Sequence, residues 1–306
     1  MLLDRKQIIS PAPQILFIVF IFVCQLLRPI QIRAQDFVLE EDITFGKGDD
    51  VDLKLDLARP ETGKGPFPAL VYIFGSGWGD WTGGSRTRCH LGIMQAAQRG
   101  YVAVTVDHRR TAVKEKGKTK FLFPAQLYDV KCAIRWLRAN ADQYNIDPNH
   151  IGVAGWSSGG HLALMLGLTT PSDGLEGDCG DKKYSSSVQA VVSAGGPTEL
   201  VSMFNESSDE PGPVVDLLGA NPQQLPDQYA VASPLTYVRI DAPPTLTIHG
   251  ELDTEVPLKQ AYLLDAKMKE IGASHTLIIK KNVGHVNFTI DPEVLDFFDK
   301  YLKEHY

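Results

Sequence analysis

Cysteine is scarce in this sequence, with four in 306 residues. None stands at the spacing of a zinc site, so neither a metal centre nor a disulfide-dense scaffold is expected. Positive charge is also short. Lys and Arg number 30 against 37 Asp and Glu, a net charge of −7. An acidic chain without a basic patch is a poor match for nucleic acid, and no such partner is expected. There is no internal repeat and no low-complexity segment. No stretch combines low hydrophobicity with a run of like charge, so long disorder is not expected either. What is present is ordinary: 43 % apolar and 22 % charged residues, enough for a sizeable core.

The N-terminus differs from the rest. Arg5 and Lys6 precede the apolar run Ile15–Cys24, which is short against the about 20 residues that cross a bilayer. With Arg33-Ala34-Gln35 behind it, the segment reads as a secretory signal over residues 1–34, cut near Ala34. Ile32 is large for its position before that cut, and an uncleaved anchor extended to Leu27 or a lipoprotein signal ending at Cys24 are the competing readings. The expectation is a secreted or periplasmic protein with no stable membrane insertion after cleavage. Residues 1–34 hold Asp4 against Arg5, Lys6, Arg28 and Arg33, so the remainder is more acidic than the whole. Cys89, Cys132 and Cys179 remain after the cut. Cys132 lies in an apolar helical pattern and reads as a small core residue, while a Cys89–Cys179 bridge is compatible with an oxidising compartment.

Residues 35–306 fit one α/β domain. Phe37–Phe45 and Val51–Leu57 alternate as a β-hairpin, with residues 46–50 as its turn. Ala69–Phe74 is nearly all apolar, as in a strand buried on both faces. Tyr101–Val106, Ile151–Ala154, Val188–Val192, Thr245–Ile248 and His275–Ile279 are similar. Between them lie helical patterns over Cys89–Arg99, Pro124–Asn145, Ser158–Gly167, Lys259–Ile271 and Pro292–Glu304. This order predicts a mostly parallel sheet flanked by helices, with ligands beyond the carboxyl ends of the strands. Thr169–Ser187 and Glu199–Pro234 are long for plain connections and read either as excursions over the site mouth or as surface loops.

One turn carries chemistry. The strand Ile151–Ala154 runs into Gly155-Trp156-Ser157-Ser158-Gly159 and then an apolar helix. In G-x-S-x-G between strand and helix, the central side chain is pushed up from a strained turn, and glycines stand where a Cβ would collide. Ser157 is the candidate nucleophile. It stands at a helix N-terminus, where free N–H groups and the helix dipole favour negative charge.

The stretch from Phe123 to Ala163, with Asp129, Trp136, Ile146-Asp147-Pro148 and Gly155–Gly159, resembles α/β-hydrolase esterases related to bacterial feruloyl and acetyl-xylan esterases and to hormone-sensitive-lipase-like enzymes. The resemblance spans roughly residues 50 to 305. It implies an α/β-hydrolase fold, a Ser-Asp-His triad and a carboxylic ester substrate. A serine hydroxyl needs a base, and the base an orienting acid. His249-Gly250-Glu251-Leu252-Asp253-Thr254-Glu255-Val256-Pro257 is similar to the family's acid loop and puts Asp253 on the acid, with Glu251 and Glu255 as competitors. Gly284-His285, on a loop before the last helix, falls on the base. His249 reads as a residue that holds the acid loop. His90, His108, His150, His161, His275 and His305 read mostly as surface or helix residues.

The family's His-Gly-Gly-Gly-Trp is matched here by Phe74-Gly75-Ser76-Gly77-Trp78. The N–H groups of Ser76, Gly77 and Ser158 are the expected oxyanion hole. Phe74 must hold the loop by packing where the family has a histidine. Asp107-His108-Arg109 stands for the family's Asp-Tyr-Arg, with an expected structural Asp107/Arg109 ion pair. Trp78 and Trp81 are candidates for stacking on a sugar or phenolic acyl group, or for core packing. The expected substrate is a small-molecule or polysaccharide ester, with no metal and no cofactor. Rival readings are an amidase or arylformamidase, a non-catalytic binder on the same scaffold, and a metal-dependent deacetylase.

Overall fold

The alternating segment after residue 36 folds as the expected hairpin. Strand β1 (Phe37–Gly48) pairs antiparallel with β2 (Val51–Pro60). Both strands run further than the pattern suggested, and the turn shrinks to Asp49-Asp50. Asp49 takes a positive φ of 52°, a conformation that aspartate enters more readily than most residues. This computed structural model describes residues 36–79, 86–112, 114–115, 117–206 and 212–303. The expected signal segment with its cut near Ala34, and Trp81, lie outside the described residues.

The remaining strands of the main sheet are β3 (Phe67–Ile73), β4 (Val102–Val106), β7 (Ile146–Trp156), β8 (Ala190–Ala194), β9 (Thr245–Gly250) and β10 (His275–Lys280). A two-residue ribbon, β5 (Lys114–Glu115) with β6 (Lys118–Thr119), stands apart. The eight-stranded order is β1-β2-β4-β3-β7-β8-β9-β10, antiparallel at β1/β2 and β2/β4 and parallel from β4 to β10. The mostly parallel α/β architecture is as expected.

The sheet is buried on both faces, which is why its central strands read as unbroken apolar runs. In β3, Ala69, Val71 and Ile73 enter one core layer, and Leu70 and Tyr72 enter the other. The first layer is closed by α2 (Ala125–Ala139) and α4 (Ser158–Leu168). The second is closed by α1 (His90–Gln98) and α9 (Pro292–Leu302). A short α3 (Ala141–Tyr144) follows α2. The expected helix over Pro124–Asn145 divides at Asn140, whose side-chain amide donates to the Trp136 carbonyl (2.8 Å). Among the described residues no helix is long and apolar enough to cross a membrane.

The two long connections behave differently. Glu199–Pro234 forms α5 (Leu200–Glu206), α6 (Gly212–Leu218) and α7 (Pro226–Val231), of which α5 and α6 line the site cavity. Thr169–Ser187 contributes no residue to the site cavity and packs back on α2. The Glu176 carboxylate meets Lys131 (2.6 Å) and Arg135, and the Arg135 guanidinium donates to the carbonyls of Glu176 (2.9 Å) and Cys179 (3.0 Å). These contacts bring Cys179 to Cys132, and the two form a disulfide. The bridge considered between Cys89 and Cys179 is therefore replaced by Cys132–Cys179. Cys89 is free and buried in the other core layer, across the sheet from Cys179. Helix α8 (Lys259–Ile271) follows the acid loop.

Candidate active site

Ser157 stands between β7 and α4, as the N-cap of that helix, with φ 56° and ψ −125°, a strained backbone for a residue with a side chain. Its N–H donates to the Ala194 carbonyl at the end of β8 (2.8 Å). The flanking glycines are required by closeness. A Cβ on Gly155 would lie 2.0 Å from the Gly159 carbonyl oxygen, and one on Gly159 would lie 2.2 Å from that of Ile73. The turn is thus pressed between its own helix and β3.

Asp253 and His285 come together from the loops after β9 and β10. His285 Nδ1 lies 2.7 Å from Asp253 Oδ2. A carboxylate only accepts, so Nδ1 carries a proton, and in the neutral imidazole this leaves the lone pair on Nε2. The second carboxylate oxygen, Oδ1, accepts from the N–H groups of Val256 (2.8 Å) and Glu255 (3.1 Å). These bonds fix the Asp253 carboxylate. The competitors are placed otherwise. Glu251 accepts from the Asn282 N–H (3.0 Å), and the exposed Glu255 lies 3.8 Å from His285 Nε2. His249 is buried, and its Nε2–H donates to the Val256 carbonyl (2.8 Å), bracing the acid loop.

Ser157 and His285 line one cavity of about 650 Å³, and the His285 ring packs on Trp156 with centroids 5.4 Å apart. The same cavity is walled by Gly75–Gly79, by Ser158 and by Met203, Phe204, Pro213 and Val214 of the α5–α6 segment. Trp78 belongs both to this wall and to the core, being almost fully buried.

The Gly75–Gly79 loop is held from several sides. Gly79 N–H donates to the Ser76 carbonyl (3.1 Å) and Thr111 N–H to that of Trp78 (3.0 Å). Ser76 N–H, one of the three expected donors, is engaged by Ser158 Oγ at 2.9 Å. Among the described residues, no such side-chain acceptor is bound to the other two N–H groups of the expected hole, Gly77 and Ser158. Phe74 packs as anticipated, its ring stacked on His108 with centroids 4.9 Å apart.

Three expectations need correction. Asp107 and Arg109 do not pair with each other. Asp107 meets Arg86 (2.7 Å), while Arg109 is drawn to the fully buried Asp129 (2.8 Å) and to Asp49 (2.6 Å), because a buried carboxylate requires a cation. His108 is neither a surface nor a helix residue but lies in the interior, and His161, on helix α4 as expected, is buried as well; burial pushes both imidazoles down to about 4. Finally, Glu41, Asp56 and His90 do cluster, with ligand atoms within 4.8 Å of one another. Arg86 Nε sits 3.1 Å from the same Asp56 oxygen that meets His90 (2.9 Å). A guanidinium already balances that carboxylate, and none of the three residues lines the cavity.

A model of the BD-FAE family matches residues 55–268, more than two thirds of the chain. The chain belongs to the BD-FAE family. The BD-FAE match includes Ser157 and Asp253 and stops short of His285. Esterase LipC of Mycobacterium tuberculosis is 32 % identical over 250 residues, covering 79 % of this chain and 58 % of LipC. The chain spans a little over half the length of the curated relatives it matches. A truncated carbohydrate esterase from gut microbiota superposes with a TM-score of 0.75 at 29 % identity, over 89 % of this chain and 98 % of that one. Esterase 2 of Thermogutta terrifontis, phosphonylated by cyclosarin, gives 0.68 at 28 % identity, over 87 % and 94 %. This BD-FAE member is therefore related to α/β-hydrolase esterases in general, a broader kinship than the feruloyl and acetyl-xylan esterases that its sequence resembles.

Proposed function

We propose that this chain is a serine esterase that cleaves carboxylic esters, acetyl or feruloyl esters of plant polysaccharide among them, outside the cytosol. Ser157 Oγ attacks the carbonyl while His285 Nε2 takes its proton, then passes it to the leaving alcohol. Water activated by the same imidazole releases the acid. Asp253 holds the Nδ1–H tautomer and offsets the imidazolium charge. The N–H groups of Gly77 and Ser158 carry the oxyanion. The mechanism calls on no metal and no cofactor.

The observation that carries the reading is the 2.7 Å bond between His285 and Asp253 at a cavity shared with the strained Ser157. The related carbohydrate esterase supports a sugar ester, and a cavity of about 650 Å³ leaves room for an aromatic acyl group or a sugar. The Cys132–Cys179 disulfide and the basic-then-apolar N-terminus support maturation in an oxidising compartment.

Acetate and ferulate released from decorated xylan test the substrate. The wild-type enzyme is expected to liberate at least one of them, and Ser157→Ala is expected to be slower by at least about 10⁴-fold. Turnover of anilides or formamides without any ester turnover would replace this reading by an amidase. Hydrolysis of none of these would overturn it.

A further inference from the structure

His161 takes no part in the chemistry above, yet it touches the residues that frame it. It lies one helical turn beyond Ser157, and its N–H donates to the Ser157 carbonyl (3.0 Å). Its ring is fully buried on an apolar helix. A histidine there is ordinarily filler, but both ring nitrogens of this one are engaged, each by a different segment. Nε2 lies 2.8 Å from the Ala232 carbonyl oxygen and must carry the proton to donate to it. Nδ1 therefore keeps a lone pair, and it accepts the indole N–H of Trp78 at 3.2 Å. Only this neutral tautomer satisfies both partners. Burial, which pushes the imidazole down to about 4, keeps it neutral near pH 7.

Trp78 directly follows Gly77, and both have positive φ, 59° and 58°. For a tryptophan that conformation is sterically strained, and it persists only where the surroundings over-determine it. The Trp78 carbonyl is held by Thr111, but the indole is held by His161, through the hydrogen bond and an edge-on ring contact at 5.2 Å and 89°.

We propose that His161 is a positioning residue for the oxyanion loop, fixing Trp78 and through it the direction of the Gly77 N–H. The same imidazole ties that loop to the segment after α7. The inference rests on the esterase reading. An N–H aimed at a developing oxyanion matters more in the transition state than in the bound ester, so a loosened loop lowers kcat more than it raises KM.

Kinetics of His161→Leu, His161→Gln, Trp78→Phe and the His161→Leu/Trp78→Phe double variant test it, with melting temperatures measured alongside. Misplacement of a site by about an ångström costs about 10²-fold, and His161→Leu is expected to lose about that much kcat. Its KM is expected to stay within about threefold of wild type. A glutamine amide can accept from the indole and donate to Ala232, so His161→Gln is expected to restore kcat to within about fivefold of wild type. The double variant is expected to be no slower than the slower single variant, since both remove one bond. Losses that multiply in the double variant, a change in KM alone, or a well-folded His161→Gln as slow as His161→Leu would each overturn the proposal. If His161→Leu does not fold, Trp78→Phe carries the test, and an unchanged kcat in it is the contradicting result. Ser157→Ala in the same assay separates the two claims. Turnover that survives it refutes the esterase reading, whereas Ser157-dependent turnover indifferent to His161 refutes only this inference.

Discussion

Three carboxylates lie within five residues of one another after β9, and their hydrogen bonds give them different work. Glu251 ties the loop to Asn282, Asp253 meets Nδ1 of His285, and Glu255 stands in solvent on the Nε2 side. Asp253→Asn would turn an amide N–H toward Nδ1 and favour the wrong tautomer, so kcat is expected to fall by about 10⁴-fold. Glu255→Gln is expected to change kcat by less than about tenfold, because an exposed charge is well screened. Initial-rate kinetics on one ester decide, and the reverse order would make Glu255 the acid. Among single residues, Ser157 was legible because the turn leaves room for no side chain at Gly155 and Gly159. The Ser158 hydroxyl and the His161 ring were not, because their partners Ser76 and Trp78 are 82 and 83 residues away in the chain. A lone histidine at the head of an apolar helix was the one available signal.

At the level of elements, the segment Thr169–Ser187 is clamped to α2 by a covalent bond and by a partly buried ion cluster around Glu176. The disulfide closes a loop with a sequence separation of 47, for which chain entropy gives a stabilisation of about 4 kcal/mol. Reductant, or Cys132→Ser, is expected to lower the unfolding free energy by about 2–4 kcal/mol in denaturant titrations. Cys89→Ser should leave the reductant sensitivity intact, since burial pushes the Cys89 thiol up to about 12 and keeps it unreactive. Loss of that sensitivity in Cys89→Ser would contradict the pairing. The strands and helices themselves were legible from apolar runs and periodicity, to within a few residues at their ends. What the pattern could not give was the direction of the long connections. Composition marks both as irregular, but only the Lys131, Arg135 and Cys132 side chains of a distant helix send one of them away from the site.

Across the whole molecule, the parallel sheet gathers residues that are far apart in sequence at the carboxyl ends of its strands. The Gly75–Gly79 loop follows β3, Ser157 follows β7, Ala194 ends β8, Asp253 follows β9 and His285 follows β10. Convergence of this kind is a property of topology, so the alternation of strands and helices was enough to expect it. The size and lining of the cavity depend on how α5 and α6 pack, and no local pattern encodes that. The central claim is that this convergence makes Ser157 a nucleophile. Treatment of the wild-type protein with a fluorophosphonate probe, followed by peptide mapping by mass spectrometry, tests it most directly. The expected result is a single adduct on Ser157, with loss of ester hydrolysis in proportion to labelling and no adduct in Ser157→Ala. A protein that hydrolyses esters while the probe leaves Ser157 unmodified would contradict it.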